Sequence, residues 1–364
     1  MPKFYNSISI LAVPTDACNM NCTYCFHKPH FDASKVMSLD TLERMIDLAC
    51  SEYSSVQFVW HGGEPLLAGI DFYRHAVEIQ KKHKDCVVKN RIQCNLTLLN
   101  DEYVAFFAAN HFGVGSSFDG TQNDLTRGNT ETILGNYRRY QSYGQKVGFI
   151  MVLSSRTINS LIESYELFKK LGANFSINNY LPLSSMVEDS FTVEPEVIVR
   201  KLSELFDYWV NDDGCSVHLN TFEEYLRYFL RGKTNKCRFN SCLGHWICVR
   251  PNGQVMPCNR YFPERYSYGN ICNVEKLGDL FNSLGFKLIL SEATKRKERC
   301  RCCDLYSICK GGCNNVAYVG GDIRYSNKNY CNVLRGITGH IRNWVDTVDV
   351  DEIQNPIIRE DFFF

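Results

Sequence analysis

Three closely spaced cysteines carry the clearest chemical signal in the sequence. Cys18, Cys22 and Cys25 follow a predicted strand at Ser7–Val13 and are separated by three and then two residues. Cysteine thiolates are the usual ligands of iron–sulfur clusters, and a [4Fe–4S] cluster offers one ligand position per iron. Three cysteines therefore leave one iron open, and an open iron can bind a small molecule.

Further candidate binding residues follow the ends of other predicted strands. Gly62 and Gly63 are adjacent, and paired glycines let a backbone approach a ligand closely. Arg127 closes the element Asp124-Leu-Thr-Arg127, and its fixed guanidinium suits a carboxylate. The other candidates at strand ends are Glu64, Pro65, Gln93, Asn95, Ser117 and Asp119.

The chain has 18 cysteines in 364 residues, which is many for a protein predicted to be cytoplasmic. The N-terminus lacks the basic start and apolar run of a secretion signal, and no apolar stretch approaches the roughly 20 residues that span a bilayer. Because a reducing cytosol disfavours disulfides, we interpret the cysteines as metal ligands or catalytic groups. Forty Lys and Arg balance forty Asp and Glu, so nothing indicates nucleic-acid or membrane binding.

Short β-rich runs alternate with helical patterns between residues 7 and 180. The predicted strands are Ser7–Val13, Val56–Trp60, Lys89–Gln93, Gly113–Phe118, Val147–Leu153 and Asn174–Asn179. The predicted helices are Leu39–Ser51, Asp71–His83, Glu102–Ala109, Glu131–Ser142 and Ile158–Leu171. This alternation predicts a parallel sheet, and six βα units are too few for a closed eight-stranded barrel. We therefore expect an α/β fold with a partial (β/α)6 TIM barrel at residues 1–190, its site at the C-terminal ends of the strands.

The second half of the chain leaves this repeat. Pro195–Val210 and Thr221–Leu230 predict a helical bridge within 191–235, and Lys276–Leu290 predicts one helix in an otherwise turn-rich segment. Pro251-Asn252-Gly253 predicts a hairpin turn. We expect a small cysteine-rich domain at 236–335, followed by a C-terminal tail at 336–364 whose helix begins near Val333 and whose end, Phe362–Phe364, has no assigned role.

The first motif resembles the C-x-x-x-C-x-x-C loop of radical S-adenosylmethionine (SAM) enzymes. In that family SAM chelates the open iron, and an electron from the cluster cleaves it to a 5′-deoxyadenosyl radical. By this resemblance Tyr24 and Phe26 flank the adenine, and the Gly62-Gly63-Glu64-Pro65 segment contacts the SAM amino group. The resemblance also places Gln93, Asn95, Ser117 and Asp119 near the cofactor and pairs Arg127 with the SAM carboxylate.

The C-terminal cysteines resemble the seven-cysteine signature of the SPASM domain, which accompanies radical SAM enzymes that modify peptides and proteins. The resemblance implies two auxiliary [4Fe–4S] clusters, one held by Cys237, Cys242, Cys258 and Cys313 and the other by Cys300, Cys303, Cys309 and Cys331. Two positions have competitors, since Cys248 could replace Cys237 and Cys302 lies beside Cys303. The alternative is a pair of structural zinc sites in a non-catalytic binding protein. Five cysteines outside the motifs are expected in the core: Cys50, Cys86, Cys94, Cys215 and Cys272.

The resemblance is closest to the anaerobic sulfatase-maturase-like branch, which oxidises a sulfatase cysteine or serine to formylglycine or modifies ribosomally made peptides. Sulfatase maturases carry an aspartate after the equivalent of Cys258, and this aspartate acts as a general base. This chain has Asn259 there, whose amide cannot accept a proton. Asp119 and Glu264 are the carboxylates that could serve as the base instead. We therefore expect a precursor-peptide maturase that forms a C–C or thioether cross-link, with sulfatase maturation as the alternative. The family implies a ferredoxin- or flavodoxin-type electron donor, and oxygen-labile clusters imply an anaerobic setting.

Overall fold

The computed structural model describes residues 6–27, 32, 34–182, 189–232, 234, 237–239 and 242–363. Its residues group into two compact units that are each built from separate stretches of chain. Unit 1 comprises Met1–Ser116, Asn129–Val147 and Cys242–Thr294. Unit 2 comprises Ser117–Gly128, Gly148–Ser241 and Lys295–Phe364.

The strands and α-helices have the following bounds. The strands are β1 (Ser7–Ala12), β2 (Ser55–Trp60), β3 (Val87–Gln93), β4 (Gly113–Ser117), β5 (Val147–Leu153), β6 (Phe175–Asn179), β7 (Trp246–Val249), β8 (Gln254–Met256) and β9 (Gly269–Asn270). The helices are α1 (Leu39–Glu52), α2 (Ile70–Lys82), α3 (Asp101–Ala109), α4 (Asn123–Thr126), α5 (Thr130–Ser142), α6 (Leu161–Leu171), α7 (Pro195–Val210), α8 (Asn220–Arg231), α9 (Leu284–Cys300), α10 (Tyr306–Cys309), α11 (Asn314–Val319), α12 (Lys328–Thr347) and α13 (Pro356–Ile358).

Unit 1 is organised around a sheet in the order β4-β3-β2-β1-β7-β8-β9. The first five of these strands run parallel, and β8 and β9 continue the sheet antiparallel. β1 is central and apolar, with Ile8, Ile10 and Ala12 at most 1% exposed. A parallel sheet with covered faces needs such continuous burial, and it aligns the C-terminal ends of its strands at one edge. The loops that follow β1, β2 and β3 therefore meet at that edge.

Unit 2 contains the parallel pair β5-β6 and a group of helices. Thr221 at the start of α8 ties that helix to β6, because its hydroxyl accepts from the Ile177 amide at 2.6 Å and donates to the Ile177 carbonyl oxygen at 3.2 Å. α7 and α12 approach closely where a Cβ on Gly336 would lie 2.5 Å from the Val199 side chain. The helix that ends the chain's cysteine-rich part is thus packed into this unit.

The fold predicted from the sequence is confirmed in its class and its six βα units. The six predicted strands differ from β1–β6 by at most two residues, and the predicted helix Pro195–Val210 matches α7 in both ends. The hairpin at 251–253 is confirmed by pairing of Cys248 with Met256 and by Gly253 at φ 80°. The four predicted domain boundaries stay predictions.

Two helices in the second half were placed incorrectly. The segment predicted as one helix at Lys276–Leu290 is a short 3-10 helix at Leu277–Asn282 followed by α9, which continues to Cys300. The polar stretch at the end of α9 has no apolar periodicity, so the pattern could not reveal it. α12 begins at Lys328, five residues before the predicted start, because the Asn327 side chain caps it by accepting from the Tyr330 amide.

The apolar end of the chain packs against α8 of unit 2. Phe362 is 9% exposed, and the guanidinium groups of Arg227 and Arg231 lie 5.7 Å from its ring centre. Phe364 lies outside the described residues. Among the described helices, none is both long and apolar enough to cross a membrane.

Candidate functional site

The loops after β1 and β2 are joined by their backbones in unit 1. The Gly63 amide donates to the Thr15 carbonyl oxygen at 3.1 Å, and the Glu64 amide donates to the Ala17 carbonyl oxygen at 2.7 Å. The Thr15 hydroxyl in turn accepts from the Ala17 amide at 3.1 Å. The segment that leads into Cys18 is therefore fixed by the neighbouring loop.

Gly62 and Gly63 are required at this junction by space. A Cβ on Gly63 would lie 2.0 Å from the Ala17 carbonyl oxygen, and one on Gly62 would lie 2.6 Å from the Thr15 carbonyl oxygen. Gly62 also has φ 133°, a conformation that side chains rarely allow. The structure shows that these glycines admit the backbone of the cysteine loop, and their predicted contact with SAM stays a prediction.

The three cysteines of the first motif share one tight loop. The Cys25 amide donates to the Cys22 carbonyl oxygen at 3.3 Å, and the Met20 amide lies 3.5 Å from Cys18 Sγ. Desolvation raises the pKa of the Cys18 thiol, and the nearby charges of Glu64, Cys22 and Cys25 raise it further. Three thiols in one short loop are the donor set expected to bind three irons of a [4Fe–4S] cluster.

A chain of amides connects this loop to the end of β3. Asn95 Nδ2 donates to Asn19 Oδ1 at 2.8 Å, and Asn19 Nδ2 donates to the Thr97 hydroxyl at 2.8 Å. Thr97 closes the ring by donating to Asn95 Oδ1 at 2.7 Å. Asn95 thus holds the cysteine loop in place, and the sequence analysis missed its partners Asn19 and Thr97, which are ordinary loop residues by pattern.

Glu64 is a buried positioning residue in this structure. It is 1% exposed, and its two carboxylate oxygens accept the amides of Leu66 at 2.9 Å and Asn95 at 2.7 Å. Burial raises the pKa of Glu64 to about 7. The carboxylate thus joins the β2 and β3 loops that surround Cys18, and the predicted contact of Glu64 with SAM stays a prediction.

Asp119 is also a buried carboxylate with protein partners. It is 0% exposed, and it accepts the Thr126 hydroxyl at 2.7 Å and the Val152 amide at 2.9 Å, all within unit 2. Arg127 Nε lies 3.4 Å from the same carboxylate. Asp119 is enclosed by these groups and lies where it can orient the Arg127 guanidinium, and its predicted place near the cofactor stays a prediction.

The remaining predicted cofactor residues are accessible to different degrees. Phe26 stacks on His27 with ring centres 5.5 Å apart, and the Arg260 guanidinium lies 5.4 Å from the Phe26 ring. Pro65 is buried and its carbonyl oxygen accepts the Tyr73 hydroxyl at 2.6 Å. The half-buried members of the set are Tyr24, Gln93 and Ser117.

A buried ion pair that the sequence did not reveal lies beside the cysteine loop. Asp16 and Arg250 each have side chains 7% exposed, and Arg250 Nη1 lies 3.7 Å from Asp16 Oδ1. Arg250 Nη2 also donates to the Asn259 carbonyl oxygen at 3.1 Å. One guanidinium therefore joins the loop before Cys18 to the residue after Cys258. Glu264, the other base considered, is bound on both oxygens by Gln254 Nε2, at 2.7 and 2.6 Å.

Two proposed ligands of the first auxiliary cluster, Cys242 and Cys258, lie at one end of the unit 1 hairpin. Antiparallel pairing of Cys248 with Met256 brings the start of β7 alongside the end of β8. Tyr268 reaches the same end, because its amide donates to the Val255 carbonyl oxygen at 2.8 Å. Tyr268 is 2% exposed, and burial and the charges of Cys242 and Cys258 raise the pKa of its hydroxyl.

The Tyr268 hydroxyl fits a cluster as its neighbour. Among the described residues, no hydrogen-bond partner lies within reach of this buried oxygen. A buried tyrosine hydroxyl normally has a partner. Cluster sulfurs at Cys242 and Cys258 would supply one, so the residues present suit an iron–sulfur group. Their two proposed co-ligands, Cys237 and Cys313, belong to unit 2.

The second auxiliary set lies wholly within unit 2. Burial raises the pKa of the Cys300 and Cys309 thiols, and both are raised further by Cys303 and Cys331. Cys302 is exposed, and its Sγ lies 3.5 Å from the Arg299 carbonyl oxygen. The grouping favours Cys303 over Cys302 as the ligand.

A buried arginine holds the loops around this set. Arg296 is 0% exposed, and its guanidinium donates to the carbonyl oxygens of Gly311 at 2.8 Å and Gly312 at 3.4 Å and to that of Ile323. It also donates to Asn314 Oδ1 at 2.5 Å. A buried cation needs a negative counterpart, and four thiolates around iron carry that charge.

The other cysteines mostly follow the expectation for core residues. Cys50, Cys86, Cys94 and Cys215 are buried. Cys272 is exposed, which corrects its predicted place in the core. Cys248 is 0% exposed within β7, and burial raises its pKa to about 12, whereas Cys237 is exposed. Burial thus favours Cys237 as the accessible ligand, and the choice stays a prediction.

Comparison with known families and proteins agrees with this arrangement. Residues 12–168 match the radical SAM superfamily, and residues 237–304 match the SPASM family, an iron–sulfur cluster-binding domain. The chain is 29% identical over 331 residues to the cysteine-type anaerobic sulfatase-maturating enzyme of Clostridium novyi, covering 84% of this chain and 88% of the relative. It is 26% identical over 345 residues to the serine-type enzyme of Bacteroides thetaiotaomicron, covering 85% and 83%.

A solved structure is similar over nearly the whole chain. It is native anSMEcpe with bound AdoMet and Cp18Cys peptide, with a TM-score of 0.82, 26% identity and coverage of 94% of this chain and 100% of that chain. The parallel sheet, the cysteine loop and these matches define a radical SAM enzyme. The chain contains a radical SAM domain and a SPASM domain and is similar to the anaerobic sulfatase-maturating enzymes.

The cofactors of this enzyme are therefore SAM and [4Fe–4S] clusters, one that binds SAM and two auxiliary ones. The match to an iron–sulfur cluster-binding domain favours clusters over structural zinc. The predicted cross-linking activity is not confirmed by these similarities, and its alternative, sulfatase maturation, is better supported.

Proposed function

We propose that this enzyme oxidises a cysteine side chain of a polypeptide substrate to formylglycine. The observation that carries the proposal is the similarity to cysteine-type anaerobic sulfatase-maturating enzymes, which extends over 84% of this chain and 88% of the relative. The similar structure that contains a cysteine peptide supports a peptide or protein substrate. A serine-type relative is similar at 26% identity, so the choice between thiol and hydroxyl rests on chemistry.

Asn259 supports a thiol as the group to be oxidised. Oxidation of the side chain to an aldehyde requires the substrate's S–H or O–H proton to leave, and the Asn259 amide cannot accept it. A cysteine thiol has a pKa near 8.5, far below that of an aliphatic hydroxyl, so it can lose its proton to a weak base. The absence of a carboxylate at position 259 is therefore less damaging for a cysteine substrate than for a serine substrate.

The residues proposed to hold the cofactors are those singled out by their motifs. We assign the SAM cluster to Cys18, Cys22 and Cys25, one auxiliary cluster to Cys237, Cys242, Cys258 and Cys313, and the other to Cys300, Cys303, Cys309 and Cys331. When bound, the clusters supply the electron that cleaves SAM and accept the electron that the substrate loses. The protein residues hold the loops: Glu64 and Asn95 fix the cysteine loop, and Asp119 orients Arg127 for the SAM carboxylate.

The net reaction balances in atoms and electrons. The cysteine β-carbon gives up a hydrogen atom to the 5′-deoxyadenosyl radical, and the remaining substrate radical gives up one electron and the thiol proton. The resulting thioaldehyde reacts with water, which releases hydrogen sulfide and leaves the aldehyde of formylglycine. One SAM is consumed for each residue oxidised, with methionine and 5′-deoxyadenosine as co-products.

A cross-linking maturase is the second candidate, and Asn259 is the observation that favours it. Both candidates are tested by incubating anaerobically reconstituted enzyme with SAM, a reductant and a sulfatase-derived peptide that contains cysteine. Formylglycine formation replaces sulfur with oxygen and also removes two hydrogens, and the aldehyde reacts with a hydrazide. A cross-link removes two hydrogens, keeps the sulfur and leaves no aldehyde. The matched controls are the same peptide with serine at that position and the Cys18/Cys22/Cys25→Ala enzyme.

We expect an aldehyde on the cysteine peptide, slower reaction of the serine peptide, and no product or 5′-deoxyadenosine from the triple variant. A serine peptide that reacts as fast as the cysteine peptide would contradict the thiol argument. A product without aldehyde that has lost two hydrogens would replace formylglycine formation by cross-linking.

A further inference from the structure

Exposed cations are concentrated around the second auxiliary cysteine set. Between residues 295 and 331 the chain has eight Lys or Arg and three Asp or Glu, although the whole chain is neutral. Four exposed cations of this region and one that follows it, all in unit 2, form a set that we call the basic face: Arg299, Arg301, Arg324, Lys328 and Arg335. A local excess of one charge on a neutral protein attracts partners of the opposite charge.

In the described part of the chain, two members of the basic face form ion pairs with carboxylates, and the other three do not. Arg324 pairs with Asp322 at 2.7 Å, and Arg335 pairs with Asp304 at 2.6 Å. For Arg299, Arg301 and Lys328, no carboxylate oxygen of the described residues lies within ion-pair distance. The face therefore presents a net positive charge to the solvent.

Two cysteines of the set, Cys300 and Cys303, lie close to members of the basic face. Arg335 Nη2 is 3.5 Å from Cys303 Sγ, and the Arg335 side chain is 55% exposed. Cys300 lines a cavity of about 620 Å³ together with Arg299, Tyr325 and Lys328. A cluster held by this cysteine set would thus lie close to the protein surface.

The basic face is also preorganised for contact. The Arg299 guanidinium lies 4.3 Å from the Tyr325 ring centre, and its Nη1 donates to the Arg324 carbonyl oxygen at 2.9 Å. Tyr325 is 53% exposed although it is a large aromatic residue. Exposed tyrosine and arginine residues with restricted motion are the residues that most often dominate protein interfaces.

We propose that the basic face is the docking surface for a small acidic one-electron carrier protein, which exchanges electrons with the cluster held by Cys300, Cys303, Cys309 and Cys331. Four thiolate ligands leave no open iron, so substrate has no coordination position there, and electron passage is the chemistry that remains. In the transfer one electron passes from the reduced partner to the oxidised one, whether cluster to carrier or carrier to cluster, with no proton or bond change. The inference rests on the auxiliary cluster assigned above and not on the identity of the substrate.

Charge should control this encounter in a characteristic way. Long-range attraction between a basic face and an acidic carrier raises the association rate and weakens as salt screens it. Electron-transfer contacts are small and transient, so steering rather than buried area sets their rate. If the cations only offset the cluster's own charge, changing them would alter the cluster but not the preference for an acidic partner.

The test uses full-length enzyme with Cys18, Cys22 and Cys25 replaced by Ala, so that only auxiliary clusters report. Reduced acidic flavodoxin and reduced methyl viologen, which is a cation, are each mixed with the enzyme, and cluster reduction is followed by absorbance and electron paramagnetic resonance. Flavodoxin binding is measured separately at low and high salt. The tested variant is Arg301→Glu/Lys328→Glu, and Lys81→Glu/Lys84→Glu in unit 1 is the control with the same charge change.

For Arg301→Glu/Lys328→Glu we expect the flavodoxin rate constant at low salt to fall roughly tenfold, with a flatter salt dependence and weaker binding. The rate with methyl viologen should stay the same or rise, and the control variant should match the parent enzyme. Flavodoxin rates and binding that are unchanged in the tested variant would overturn the proposal. If that variant binds less iron and sulfide, Arg301→Gln/Lys328→Gln replaces it in the test. We then expect a smaller decrease in the flavodoxin rate constant.

Discussion

Arg250 Nη1 lies 3.7 Å from Asp16 Oδ1, with both side chains almost fully buried beside the cysteine loop. Burial raises the pKa of Asp16 to about 6, and the charge of Arg250 opposes that rise. The same guanidinium binds the Asn259 carbonyl oxygen at 3.1 Å. Arg250 is thus positioned to keep two cluster-binding loops of unit 1 in register.

Removing the Arg250 charge should destabilise the enzyme more than removing the pair. Arg250→Gln leaves a buried carboxylate without its cation, for which we expect a loss of about 2–4 kcal/mol in the free energy of unfolding. Asp16→Asn/Arg250→Gln should cost less than the sum of the single changes. Anaerobic urea unfolding of the four proteins measures this, and strictly additive losses would show that the two side chains do not interact.

Gly63→Ala should prevent the cysteine loop from forming. The new Cβ would lie 2.0 Å from the Ala17 carbonyl oxygen, so the two backbones must separate at a cost above about 3 kcal/mol. The matched control is Gly135→Ala in α5, where a Cβ meets nothing within 4 Å and should stabilise the helix by about 0.5–1 kcal/mol. Iron and sulfide content should fall in Gly63→Ala alone, and the unfolding temperature should fall in Gly63→Ala and rise slightly in Gly135→Ala. Equal iron content in the two variants would contradict the role of Gly63.

Tyr268→Phe should lower the reduction potential of one auxiliary cluster. A hydroxyl that donates to a cluster sulfur stabilises the reduced, more negative cluster, so its loss favours the oxidised form. Tyr266→Phe is the control, because the Tyr266 hydroxyl already donates to Glu292 at 2.6 Å. Potentiometric titration followed by electron paramagnetic resonance measures both. A potential that is unchanged in Tyr268→Phe would mean that its hydroxyl does not face the cluster.

Cys303 and Cys302 should differ sharply in their effect on metal content. Cys303→Ala should reduce the iron from about twelve to about eight per chain, as expected for loss of one four-iron cluster. Cys302→Ala should leave iron unchanged, because this exposed thiol lies outside the group formed by Cys300, Cys309 and Cys331. Iron and sulfide analysis after anaerobic reconstitution decides between them, and the reverse result would exchange the two assignments.

His61 should make the enzyme less stable in mild acid. Burial first, and the nearby charges of Arg260 and Arg250, lower the pKa of His61 to about 4, whereas an unfolded histidine titrates near 6.5. Between these values the unfolded chain binds a proton that the folded chain refuses, so this contribution is complete above about pH 6.5 and is lost as the pH falls towards 4. We expect a loss of about 1–2 kcal/mol between pH 7 and pH 5.

Urea unfolding at a series of pH values measures the His61 effect. His61→Gln should remove part of the slope between pH 7 and pH 5 without removing the slope due to other groups. His83→Gln is a suitable control, since His83 lies at the surface beside Asp47. An identical slope in wild type and His61→Gln would show that His61 is accessible to protons in the folded state.

Much of the first half of the fold could be predicted because its signals are local. The six strands and the first five long helices follow from apolar periodicity, and the C-terminal ends of parallel strands must share an edge. The second half was harder for a physical reason. In α9 the run Lys295-Arg-Lys-Glu-Arg299 reads as a solvated face, whereas one of its members, Arg296, is 0% exposed because four acceptors from distant loops surround it.

The sequence by itself determined the chemistry: three cysteines in one loop, a SPASM-like cysteine pattern and an amide at position 259 are matters of residue type and spacing. Only the tertiary structure decided what the supporting residues do. Glu64 and Asp119 were predicted from their positions after strands, and the structure shows that both are buried and that their carboxylates hold loops and Arg127 in place. The pairing of β7 with β1, which brings Arg250 to Asp16, joins residues more than two hundred positions apart. Such contacts depend on how the chain packs, and no local spacing records them.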